Sequence, residues 1–480
     1  MDRRAGLAQT PESVASPDGS FEPASAAAQH ASLAWVALGL LLFAGAAALR
    51  VHNAYALFID HGFDESFNWE YIEQLTRSWA LPDPESLWSG ARPPLFFYLS
   101  GAVARVFGPL QVPSVHAIRL ASSAFGLLAI GFAVWSLQRC SRADPLRVAL
   151  AAGLLLFVPA HIYLSAMVNE EIAVASWTTL ALVVALWEQR AGGGRWASWA
   201  RVVAIGIFGG LAFLTKLTGC LVVMAIASSF VLDGWRRGAL RPALARAATL
   251  SLIALLVGGW FYARSYLLHG YLYPHSLDAH SIILSMPPGE RSVLDYLRFS
   301  LGAFTDTRVN SPGLLHSVWG GTYVTWWFDG HRHFVPRVDP VVDRMGLAIL
   351  LLALLPTAAA VAGAVRGVGR ARASSKALDT PMLALVAFTL AGYVLYTWTN
   401  PWFACVKASY LLGLGLPYAW WASERLASWC RRSRWLAAWI GLDLTLLLAA
   451  IVATFTFATP LWEMTLGVHL PGLPWLPDQR

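Results

Sequence analysis

Apolar runs close to the ~20 residues that cross a bilayer recur along this chain, and clusters of arginine fill alternate gaps between them. These two rhythms constrain the fold more than any other feature. The runs fall at residues 31–49 and about 120–137, 146–164, 172–187, 202–215, 217–232, 247–263, 345–365, 381–397, 409–422 and 435–458. In lipid a spanning segment must satisfy its own backbone, so these eleven runs predict an all-α integral membrane protein. A charged fraction of 13%, about half that of a soluble domain, excludes a chain of two or three soluble domains. Residues 1–32 are rich in Ala, Ser, Pro and Gln without periodicity and read as a disordered cytoplasmic tail. Residues 33–458 form the membrane domain, and 459–480 a short outer tail.

The arginines set the orientation. One connection carries Arg139, Arg142 and Arg147; a second Arg190, Arg195 and Arg201; a third Arg236, Arg237, Arg241 and Arg246. A fourth carries Arg366, Arg370, Arg372 and Lys376, and a fifth Arg425, Arg431, Arg432 and Arg434. Cytoplasmic loops concentrate such residues, so all five belong on one side. The net charge of +7 is then an orientation signal rather than a nucleic-acid footprint. Alternation makes residues 95–107 an interfacial helix instead of a span. It also makes 202–232 a hairpin with its apex near Lys216, because one helix of that length would rise ~46 Å and not return. Two long outer loops follow, about 50–119 and 264–344, and the outer side holds 18 of the 28 acidic residues. The first run lacks a basic residue just inside it, while Arg50 sits just outside.

Four constellations at the outer ends carry possible chemistry. Asp64-Glu65 precedes an amphipathic stretch, 66–80, in which Phe67, Tyr71, Leu75 and Trp79 recur every fourth residue, the pattern of a helix lying on the membrane surface. An Asp there is either an N-cap or a general base at the membrane rim. Arg92-Pro93-Pro94 enters the interfacial helix extended, with Arg92 a snorkelling anchor or a ligand contact. Asn169-Glu170-Glu171 lies between apolar runs, where acidic residues are costly and functional by default. Lys216, one of three lysines, stands inside an apolar hairpin and needs an anionic partner: a lipid phosphate or a carboxylate from another span. Cys140, Cys220, Cys405 and Cys430 show no zinc or disulfide spacing, and His269 and His275 are too weakly patterned to assign a metal.

These residues carry a resemblance. Asp64-Glu65 before Arg92-Pro93-Pro94-Leu95, then Arg119-Leu-Ala-Ser-Ser, His161-Ile-Tyr-Leu-Ser with Glu170, Gly-Leu-Ala-Phe-Leu-Thr-Lys216, Arg264 with Gly270-Tyr-Leu-Tyr-Pro274, and Lys407-Ala-Ser-Tyr410 resemble, in order over residues 33–415, the polyprenyl-phosphate-dependent glycosyltransferases of the GT-C superfamily. That superfamily includes the protein O-mannosyltransferases and aminoarabinose transferases. The resemblance implies a multispan helical bundle with its cavity at the outer leaflet, a polyprenyl-phosphate-linked sugar (hexosyl or pentosyl) as donor, and inversion at the anomeric carbon. It implies Asp64, or Glu65, as base, and Arg92, Glu170, Glu171, Lys216, Arg264, Lys407 and Tyr410 around the substrates. Asn-Glu-Glu stands where an aspartate is often seen, leaving the second acidic role between Glu170 and Glu171. Ala408-Ser409 stands where an arginine commonly precedes the tyrosine, so Lys407 carries that charge alone. The expected location is a bacterial inner membrane with the site facing the periplasm. The acceptor (protein, lipid A, glycan or lipid) and a divalent metal are left open. A flippase for lipid-linked sugars and a non-catalytic envelope assembly protein are the rival classes.

Overall fold

The computed structural model describes residues 26–57, 62–84, 86–108, 114–141, 143–190, 195–273, 286–335, 339–375 and 377–458. His275, Pro274, Arg142, Lys376, and the ends 1–25 and 459–480 lie outside the described residues. Helix α1, Ala26–Ala56, begins within the stretch read as a tail. No strand occurs among the described residues.

Helices α2 (Glu65–Arg77) and α3 (Leu95–Phe107) pack on each other in the first long loop. At 13 residues α3 rises only ~20 Å, too little for a ~30 Å hydrocarbon core. The stripe expected to lie on lipid instead divides: Tyr71 and Leu75 are buried, with Tyr71 stacked on Phe97 at 4.1 Å, while Phe67 and Trp79 stay exposed. Packing against α3 offers Tyr71 a closer partner than lipid.

Helix α4 (Ser114–Ser141) returns to the arginine-rich end, and α5 (Pro145–Leu156) and α6 (Pro159–Ser165) form a pair bent by 47°. Pro159 cannot donate to the helix ladder, which leaves carbonyls at the bend without their usual partner. Arg50 fills that need: its guanidinium, 1% exposed, donates to the Leu156 carbonyl at 2.9 Å and lies 3.0 Å from His161 Nδ1. Arg50 is therefore an internal cap, and its place just beyond the first span has a structural reason.

After α7 (Glu171–Arg190), the expected hairpin is α8 (Arg195–Thr215) and α9 (Cys220–Arg236), joined by a 3₁₀ turn at Leu217–Gly219 with Lys216 at its start. A Cβ at Gly219 would collide with the backbone of Ala212, so the tight apex requires glycine. The chain continues through α10 (Leu240–Ala254), a π turn and α11 (Trp260–His269), then short α12 (Leu294–Leu297) and α13 (Val318–Trp327) in the second long loop. It ends with α14 (Pro340–Leu352), α15 (Leu354–Ala373), α16 (Asp379–Thr399), a 3₁₀ segment Ala408–Leu414, α17 (Gly415–Cys430) and α18 (Arg434–Phe457).

Among the described residues nine helices are long and apolar enough to cross a membrane, or ten with the bent α5–α6 pair as one span. The tenth of the eleven expected runs, 409–422, is broken: its first part is 3₁₀, and the 16-residue α17 is ~24 Å long. Ala408 donates its amide to the Thr325 hydroxyl rather than to a helix ladder.

The two ends of the bundle are separately knitted. At one end Arg147 and Arg370 both reach Glu424, Arg431 reaches Asp144, Arg236 donates to the Ala371 carbonyl, and Arg201 and Arg246 share Glu188. These contacts chain all five arginine-rich connections together, as alternation requires. The remaining charge gathers at the far end.

Candidate functional site

At the far end five charged side chains form one line of ion pairs. Arg92 Nη2 lies 2.5 Å from Asp64 Oδ2, and Arg92 Nη1 lies 3.4 Å from Glu170 Oε2. Lys216 Nζ lies 3.1 Å from Glu170 Oε1 and 2.7 Å from Glu171 Oε1. The Ser409 hydroxyl donates to that same Glu171 oxygen at 3.0 Å. The line joins the first long loop, the α6–α7 connection, the α8–α9 apex and the 3₁₀ segment before α17. Both partners of Lys216 are carboxylates, so its charge is satisfied from within the protein.

Local backbone explains the aim of each group. Asp64 sits at the N-cap position of α2 but makes no side-chain cap; its φ of 51° is left-handed, a conformation Asp tolerates better than most residues. The capping alternative fails, and the carboxylate turns to Arg92. Phe63 anchors the preceding position, with the Lys407 ammonium 4.3 Å from its ring centroid and the His333 ring at 4.1 Å. Arg92 is fixed by Asn68, whose Oδ1 accepts from Arg92 at 2.9 Å and from Ser89 at 2.8 Å while its amide donates to the Val168 carbonyl. Gly90 makes that turn possible, since a Cβ there would lie 2.7 Å from the Asp83 carbonyl oxygen.

Adjacent Glu65 faces elsewhere. It is 0% exposed, against 36% for the Asp64 side chain. Its Oε1 accepts from Arg119 Nε at 3.0 Å, Arg119 Nη2 at 2.7 Å and the Val168 amide at 2.9 Å. Arg119 also donates to the carbonyls of Ala54 and Leu57. Glu65 thus ties α2 to α1 and α4 and does not open to the site.

Electrostatics follow geometry. Burial alone would raise the Asp64 carboxyl, but Arg92, with Lys407 and Lys216 behind it, holds it well below the usual carboxylate range. Glu170 is likewise opposed by burial yet held down at about 2 by Lys216 and Arg92. Burial pushes Glu65 up to about 7 against the pull of Arg119.

The remaining expected residues divide. Lys407 lies near enough for its charge to act on Asp64, with no carboxylate partner among the described residues. Tyr410 joins the site, its ring centroid 5.0 Å from Lys216 Nζ and its hydroxyl donating to the Tyr396 oxygen at 3.1 Å. Arg264 stands apart: its charge acts on the hydroxyls of Tyr71 and Tyr98, and it forms no ion pair among the described residues. Sequence reasoning missed Asn68, Ser409 and Tyr273. Burial raises the Tyr273 hydroxyl, and Arg92, Lys216, Glu170 and Asp64 all act on it, so it borders the same group. The chain offers no spacing that marks Asn68, a polar residue on the packed face of α2. Among the described residues no three His, Cys, Asp or Glu side chains are grouped to hold a metal ion; His269 stacks on Tyr271.

Residues 91–260 match the model of the dolichyl-phosphate-mannose-protein mannosyltransferase family, a stretch that contains Arg92, Glu170, Glu171 and Lys216. No curated protein matches the chain in sequence. Among solved structures it is similar to ArnT from Cupriavidus metallidurans bound to undecaprenyl phosphate, at a TM-score of 0.53 and 14% identity over 90% of this chain and 77% of that one. It is also similar to the oligosaccharyltransferase AglB from Archaeoglobus fulgidus in complex with an inhibitory peptide and a dolichol-phosphate, at 0.52 and 15% identity over 88% of this chain. The match covers 56% of the archaeal chain, so this chain spans about half of its length. The fold is that of the GT-C glycosyltransferases.

Proposed function

We propose that this chain, of GT-C fold and matching the mannosyltransferase family over residues 91–260, transfers a sugar from a polyprenyl-phosphate-linked donor to an acceptor hydroxyl. The observation that carries the reading is a part-exposed carboxylate, Asp64, at the end of an enclosed line of alternating cations and carboxylates. Asp64 accepts the acceptor's proton as its oxygen attacks the anomeric carbon from the face opposite the phosphate. The bond from that carbon to the phosphate oxygen breaks with inversion. Lys407, which lies beside Asp64 with no carboxylate partner among the described residues, is free to meet the phosphate, while Arg92 and Lys216 must first loosen their own pairs. Cations brought onto the departing phosphate charge lower the barrier to its release from the anomeric carbon. Tyr410 and Tyr273 border the space in which the sugar would lie.

The arginine-rich end is cytoplasmic on this reading, and the Asp64 end faces the periplasm of a bacterial inner membrane. The reading is tested by mass spectrometry of envelope glycans and membrane lipids with and without the protein. Loss of one sugar from a glycan, with accumulation of a polyprenyl-phosphate-linked sugar, is expected. Unchanged glycans and lipids would contradict it.

A further inference from the structure

Glu170 is gripped by both cations of the ion-pair line, Lys216 at 3.1 Å and Arg92 at 3.4 Å, and each takes a different oxygen. Asp64 and Glu171 hold one cation each. A guanidinium and an ammonium closing on two oxygens of one anion is also how such groups grip a phosphate. Three carboxylates (Asp64, Glu170, Glu171) and three cations (Arg92, Lys216, Lys407) meet here, so the site is already neutral. A phosphate arriving between Arg92 and Lys216 finds its place taken by Glu170.

The transfer reaction, as read under Proposed function and on which this inference rests, sharpens the point. The donor enters as a phosphate diester with one negative charge. The bond between the anomeric carbon and its phosphate oxygen breaks, its electron pair stays on that oxygen, and the acceptor's proton leaves through Asp64. The lipid phosphate that remains is a monoester carrying about −1.5 to −2 at pH 7. Cations strong enough to bind the donor therefore hold the product more strongly still.

We propose that Glu170 is an internal stand-in for the phosphate: it occupies the Arg92–Lys216 clamp when the site is empty, yields it to the donor, and retakes it to expel the lipid phosphate. Glu170 is then a positioning residue acting through the two cations, and its loss tightens phosphate binding. A residue that merely supports the fold, or one that binds donor directly, would have the opposite sign.

The test uses the full chain in lipid nanodiscs and undecaprenyl phosphate as probe, with Glu170→Gln and Glu170→Asp beside the wild type. Removing one negative charge within a few ångströms of the phosphate should tighten binding about tenfold and slow dissociation by a similar factor. Glu170→Asp keeps the charge and should stay near wild type. Unchanged or weaker binding by a folded Glu170→Gln overturns the inference. Failure of the wild type to bind the probe overturns the reading beneath it instead, and the inference falls with it. If Glu170→Gln does not fold, a structure of the wild type with undecaprenyl phosphate decides. The Glu170 carboxylate should lie beyond about 4 Å, the ion-pair limit, from Lys216 Nζ; intact pairs with phosphate bound elsewhere would overturn it.

Discussion

The two ends of the bundle both carry chains of ion pairs, yet the most exposed arginines of those chains lie at one end, and a single line of alternating acids and cations at the other. At the arginine-rich end Arg147 and Arg201 are 12% and 20% exposed, but Arg370 is 39% exposed and Arg431 56%, so the pairs that these last two make with Glu424, Asp379 and Asp144 are partly screened and weaker. At the far end Arg92 and Lys216 are 18% and 17% exposed and Glu170 only 7%. Enclosed charges keep most of their mutual field, so the second network can shift a carboxyl's acidity and hold an anion. The comparison teaches that arginine count marks orientation, whereas an enclosed line of alternating acids and cations marks where an anion can be exchanged.

The largest expected effect lies where enclosure is complete. Arg119→Met leaves Glu65 buried without its partner, which should cost about 3–5 kcal/mol and show as loss of folded protein in a thermal unfolding assay. Near wild-type stability would mean that Glu65 is neutral in the fold. Next come the far-end cations. Lys407→Met removes a charge beside Asp64 that no carboxylate partners among the described residues, so it should weaken binding of undecaprenyl phosphate by roughly tenfold, a loss of about 1.4 kcal/mol, with stability kept. Arg264→Met, whose charge acts on Tyr71 and Tyr98 instead, should leave that binding near wild type. Lys216→Met is the less clean variant, because it also strands Glu170 and Glu171. If Lys407→Met binds the probe like the wild type, the phosphate site lies elsewhere.

The pH dependence of stability offers a smaller contrast. Asp64 has its folded pKa depressed, so the stability it contributes is present above its unfolded value of about 3.9 and is lost as pH falls towards the folded value. The stability difference between wild type and Asp64→Asn should therefore be flat from neutral pH to about pH 5 and shrink below about pH 4. A difference already changing near pH 6 would show that Asp64 is not held by Arg92. Smallest of all, Arg431→Ala at the exposed end should cost no more than about 1 kcal/mol and leave transfer unchanged.

Much of this was legible in the sequence because it follows from periodicity and charge. Most of the spans, the α8–α9 hairpin with Lys216 at its apex, and the exclusion of residues 95–107 as a full span need only length, polarity and alternation. What failed to show depends on backbone geometry or on distant partners. Two adjacent acids, Asp64 and Glu65, read alike in one dimension; a left-handed φ at Asp64 and the distant Arg119 send them to opposite environments. Arg50 looked like a misplaced topological signal because the carbonyl it caps lies at the α5–α6 bend, 106 residues away. Lys216 announced that it needed an anion, but sequence could not choose between a lipid phosphate and the two glutamates that hold it.

The central claim is that Asp64, and not its neighbour, takes the acceptor's proton. Asn keeps the side chain's size and tolerates the left-handed backbone, so Asp64→Asn removes the base and the charge paired with Arg92 while keeping the local fold. In cells producing it at wild-type level, glycan mass spectrometry should show sugar transfer reduced by about 10²–10⁴-fold, while the purified variant binds undecaprenyl phosphate no more weakly than the wild type. Near wild-type transfer by Asp64→Asn would contradict the account.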